Sequence, residues 1–144
     1  MNTIAVDAMG GDSAPIDIVK GAIKAKEQGV DVVLCGDKNL IDPYLENHEI
    51  PVFDFPQVIS MDEDPLKAIR NKKNASIVGC MQLLKDKKVQ AVFSAGSTGA
   101  TLISAISILG KHKGVIRPVI ASVLPSLSGN TILLDSGASL DVKP

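Results

Sequence analysis

The chain has 144 residues, 45% of them apolar, which is enough for one domain with a closed hydrophobic core. Fifteen basic residues against sixteen acidic ones leave a net charge of −1, so no broad attraction to nucleic acid is expected and any anion site must be local. Aromatics are 3% with no Trp, which argues against base stacking, and Cys35 and Cys80 form neither a disulfide framework nor a paired metal-ligand spacing, as suits a reducing cytosol.

The N-terminus, MNTIAVDAMGGD, lacks a basic region followed by a long apolar run, so no signal peptide is expected. A strand is predicted at Thr3 to Val6, then a helix from Pro15 to Gln28, where Ile16, Val19 and Ile23 recur at helical spacing. The next strand, Asp31 to Cys35, carries a continuous VVL run suited to burial on both faces. A helix follows from Lys38 to His48, with Pro43 placed in its first turns. Pro51 to Phe55 reads as extended, with a continuation to Ser60 left open. Asp62 to Asp64 and Pro65 then mark a helix start leading to Ala68, Ile69 and Arg70.

Ser76 to Lys87 repeats apolar residues at Ile77, Val78, Met81, Leu83 and Leu84, an amphipathic helix. Val89 to Phe93 is a strand, SAGSTGA (94–100) a turn, and Thr101 to Leu109 a nearly all-apolar helix expected to be buried on more than one side. The weakly charged stretch from Ala91 to Gly110 is broken by Gly96 and Gly99 and is not expected to span a membrane. Two more strands are predicted, Val119 to Val123 and Thr131 to Asp135. The alternation predicts an α/β fold, a doubly wound, mostly parallel sheet with helices on both faces.

Three predicted strand ends deliver glycine beside small polar or acidic residues: DAMGGD (7–12), SAGSTGA (94–100) and DSGAS (135–139). Strand carboxyl ends share one edge of an open α/β sheet, so these loops can line one cleft, with Gly10, Gly11, Asp135, Gly137 and Ala138 among its walls. SAGSTGA lies between a strand and a helix, where free backbone N–H groups meet an anion. Gly96 and Gly99 permit close approach, and Ser94, Ser97 and Thr98 add uncharged hydroxyl donors. The alternative is tight strand-to-helix packing with Ser97 or Thr98 as an ordinary N-cap.

DAMGGD lacks the G-x-G-x-x-G spacing, and Asp7 and Asp12 would repel a pyrophosphate, so a dinucleotide cofactor is disfavoured. Asp12 or Ser13 reads as a helix cap and Asp7 as the functional candidate. Among Arg70, Lys72, Lys73, Lys111, His112, Lys113 and Arg117, most read as solvated surface. Arg117, preceding Pro118 and a strand, is the candidate for neutralising an oxyanion. His48 and His112 have no readable triad or metal partners, and Cys35 and Cys80 read as small buried hydrophobes.

Together IAVDAMGGDSAP, DEDPLKAIRNKKNAS, VFSAGSTGA, IRPVIASVLP and LLDSGASLDVKP resemble, in order, the signature blocks of bacterial phosphate acyltransferases of the PlsX type. The resemblance implies transfer of a fatty acyl group from acyl-[acyl carrier protein] to inorganic phosphate, yielding acyl phosphate for phospholipid synthesis. It implies a Rossmann-like fold similar to phosphate acetyl- and butyryltransferases, no redox or metal cofactor, and a homodimer in the cytosol near the membrane. It also implies that residues 1–144 are the N-terminal part of one acyltransferase domain whose remainder is absent. The family pattern usually has Asn at the position of Ser97.

Overall fold

A computed structural model of the chain describes residues 2–135, which belong to two units, Met1–Gly110 and Lys111–Pro144, each taken by itself below.

The first unit is built on a four-stranded sheet, β1 (Thr3–Asp7), β2 (Asp31–Gly36), β3 (Val52–Asp54) and β4 (Ala91–Phe93), in the order β3-β2-β1-β4. Every pairing in it is parallel, with Val6 opposite Leu34 on one side and Phe93 on the other. Alternation along the central strands divides the core. Val6, Val32 and Leu34 meet Val19 and Ala22 of α1 (Ile16–Glu27) and Ile41 of α2 (Lys38–Leu45) on one face. On the other face Ala5, Val33 and Cys35 meet Cys80 and Leu83 of α4 (Ser76–Lys85). Both faces of β2 are therefore closed, as its continuous apolar run predicts. α3 (Pro65–Asn71), α4 and α5 (Thr98–Ile108) share a further cluster around Ile69, Ile77 and Met81.

Local chemistry sets most boundaries. The Asp64 side chain caps α3 by accepting from the Lys67 amide at 2.8 Å, with Pro65 at the first helical position, as the DEDP run predicts. Asp37 caps α2 in the same way through the Asn39 amide. Pro43 lies in the second turn of α2, and the helix ends two residues later at Leu45, short of His48. α1 has no side-chain cap: Pro15 occupies that position and Asp12 is exposed, so the expected capping by Asp12 or Ser13 is not realised. β3 stops at Asp54, and Gln57 makes only an isolated bridge with Ala75. α5 begins at Thr98, earlier than predicted, because Ser97 caps it. Only Ala100 and Ser104 of α5 are fully buried, a narrower contact than its all-apolar sequence suggests.

In the second unit β5 (Ala121–Ser126) and β6 (Gly129–Leu134) form an antiparallel hairpin. Ser126 pairs with Gly129, so only Leu127 and Ser128 form the loop, too short for a parallel crossover. Gly129, at φ 135°, takes a backbone conformation that side chains resist.

Candidate functional site

The chain runs outward from β1 to β2 and β3, then returns across α4 to place β4 on the opposite side of β1. The strand order therefore reverses between β1 and β4, and a crevice at the carboxyl ends of those strands is where open α/β sheets bind ligands. DAMGGD leaves β1 and SAGSTGA leaves β4 at this point.

Asp7 ends β1 with 3% of its surface exposed. Its Oδ2 accepts the Ser94 hydroxyl proton at 2.7 Å, and its Oδ1 lies 3.3 Å from the Met9 amide. Ser94 Oγ in turn accepts from the Gly96 amide at 3.1 Å, so carboxylate, hydroxyl and amide form one chain across the two loops. The backbones touch as well: a Cβ on Gly10 would stand 2.5 Å from Asp7 Oδ2 and 2.9 Å from the Gly96 nitrogen. Glycine at both positions is a requirement of this close approach, beyond ordinary turn chemistry.

Ser97 resolves the capping alternative: its Oγ accepts from the Ala100 amide at 3.3 Å and its carbonyl from the Thr101 amide at 2.9 Å. Among the described residues the amides of Thr98 and Gly99 have no hydrogen-bond partner, the usual state of a helix start. The crevice between the loops is lined by Asp7, Gly10, Ile77, Ser94, Ser97 and Thr101, and its volume is about 10 Å³. That is room for about one water-sized group.

Of the residues singled out in the sequence, Asp7, Gly10, Ser94, Gly96 and Ser97 converge here, with Gly11, Thr98 and Gly99 in the same two loops. Ser94 differs from expectation in that its proton is committed to Asp7. Arg117 and Asp135 belong to the second unit, Arg117 being exposed, and Gly137 and Ala138 lie outside the described residues. Sequence reasoning missed Ile59, Ser76 and Thr101, which also line the crevice. Ser76 closes the block DEDPLKAIRNKKNAS, a signal that its reading as a helix residue obscured.

Lys72 is not a free surface lysine. Its Nζ donates to Glu63 and to the Val58 carbonyl, tying down the segment that carries Ile59. The Lys72 ammonium, followed by the Ser60 amide, holds the Glu63 carboxyl below its ordinary range. Cys35 and Cys80 are both buried, and hydrogen bonding to Cys35 together with burial pushes the Cys80 thiol up. Among the described residues no three His, Cys, Asp or Glu side chains gather as a metal site, and no helix is long and apolar enough to cross a membrane.

Fold and site thus define an open, parallel α/β protein with a glycine-walled crevice at its topological switch point. The profile of the Fatty acid synthesis protein family matches residues 2–144, and the chain belongs to that family. Curated relatives agree. A phosphate acyltransferase of Desulforamulus reducens is 47% identical, covering all of this chain and 45% of the relative. One from Gloeothece citriformis is 49% identical over 98% of this chain and 42% of the relative, and one from Desulfitobacterium hafniense strain Y51 is 46% identical over 100% and 44%. The chain therefore spans less than half the length of these relatives.

Proposed function

We propose that this chain supplies the phosphate seat of an acyltransferase that moves a fatty acyl group from acyl-[acyl carrier protein] to inorganic phosphate. A phosphate oxygen attacks the thioester carbonyl carbon, the carbon–sulfur bond breaks, and acyl phosphate and the carrier thiol leave. No protein nucleophile is needed: the work is positioning phosphate and stabilising the developing oxyanion. The observation that carries this reading is the convergence of the Asp7–Gly10 and Ser94–Ala100 loops at the switch point, beside the unpartnered amides of Thr98 and Gly99.

On this reading those amides and the Ser97 hydroxyl donate to the anion at the crevice mouth. The Asp7–Ser94–Gly96 chain holds the turn in shape. The setting is a cytoplasmic homodimer, at most peripherally attached to the membrane, serving phospholipid synthesis without metal or redox cofactor. A second reading is a phosphate- or carrier-binding segment without turnover. Incubation with phosphate and long-chain acyl carrier protein separates the two: acyl phosphate formed by the chain alone eliminates the second. The seat itself is tested by phosphate titration, which is expected to shift the amides of residues 96–100; unmoved amides there refute it.

A further inference from the structure

We infer that Asp7 makes this seat selective for protonated oxyanions, so that it accepts phosphate and rejects sulfate; the inference rests on the phosphate-seat reading above. The crevice has room for one oxygen-sized group, so only one oxygen of a tetrahedral anion enters while the rest stays at the mouth. At its wall that oxygen meets the Asp7 carboxylate, the one ionisable side chain among the described lining residues, with no cation beside it in the lining.

A carboxylate offers about four acceptor positions, of which Ser94 and the Met9 amide occupy one each. The remaining capacity calls for a donor. A bare anionic oxygen there adds like-charge repulsion in a poorly solvated place, whereas a P–OH group donates and satisfies both partners. Inorganic phosphate keeps such a proton at neutral pH, as does arsenate. Sulfate, of similar size and shape, keeps none.

The test titrates the intact chain at neutral pH with phosphate, arsenate and sulfate, following the amides of residues 96–100 by NMR. Phosphate and arsenate are expected to bind alike and sulfate at least about tenfold more weakly, the scale of one unsatisfied buried hydrogen bond. Asp7→Asn, which removes the charge and adds an amide donor, is expected to shrink or reverse that preference by strengthening sulfate. Equal binding of phosphate and sulfate to the unaltered chain overturns the inference while leaving the seat intact, and needs no variant to fold. An unchanged preference in a folded Asp7→Asn protein overturns it too. If none of the anions moves these amides, the seat itself fails and the inference with it.

Discussion

Ser94 donates its hydroxyl proton to Asp7 across 2.7 Å, joining loops 87 positions apart in the chain. Ser94→Ala removes that donor from a carboxylate that is 3% exposed, and also the acceptor of the Gly96 amide. A loss of about 1–3 kcal/mol is expected in urea unfolding. A variant as stable as the parent would show that the bond does not organise the turn.

Gly10→Ala tests the backbone contact. The new methyl group meets Asp7 Oδ2 at 2.5 Å and the Gly96 backbone nitrogen at 2.9 Å, and the carboxylate can yield only by disturbing its hydrogen bond with Ser94. About 1–3 kcal/mol of destabilisation is expected. Gly21→Ala, at an exposed position of α1 with nothing within 4 Å of the added carbon, is the opposite case and is expected to gain about 0.5–1 kcal/mol.

Ser97 caps α5, so Ser97→Ala is expected to lower stability by about 1 kcal/mol. Ser97→Asn, because Asn caps as well as Ser, should leave stability within roughly 0.5 kcal/mol of the parent. Thermal melts of the two variants separate the capping role from any role toward an anion.

The Glu63 carboxyl is held below its ordinary value of 4.5 by Lys72 and the Ser60 amide. A group with a lowered folded pKa contributes fully above the unfolded value and loses its contribution as pH falls through the folded one. Hydrogen exchange at the Ser60 amide, corrected for its intrinsic pH dependence, is therefore expected to lose protection on acidification below about pH 4.5. Glu63→Gln should remove that acid-dependent step, and its persistence would place the effect elsewhere.

Because burial and the neighbouring Cys35 raise the Cys80 thiol, little thiolate is present near neutrality. Iodoacetamide is expected to modify neither cysteine in the native chain and both after unfolding. Rapid labelling of Cys80 in the folded protein would contradict the packing.

Much of the first unit was legible because its signals are local. Asp64 with Pro65 announced α3, the VVL run announced a doubly covered β2, and the βα alternation predicted parallel pairing. The strands predicted at Val119 to Val123 and Thr131 to Asp135 are observed as β5 and β6, whose inner ends reach Ser126 and Gly129 because cross-strand pairing, and not local propensity, sets where they stop. The bond between Asp7 and Ser94 and the meeting of Gly10 with Gly96 depend on tertiary pairing across most of the unit, which no periodicity reports. The site's glycines were visible in the sequence, while their mutual contact was not.

The position of β4 also governs timing. β1 leaves the ribosome well before β4, so one of its two neighbours arrives only after the chain has passed Ala91. At about 5–20 residues per second, the 87 residues separating Asp7 from Ser94 take about 4–17 s to synthesise. Throughout that interval the carboxylate lacks its hydroxyl partner, and the nascent sheet presents one bare flank to chaperones and to other nascent chains.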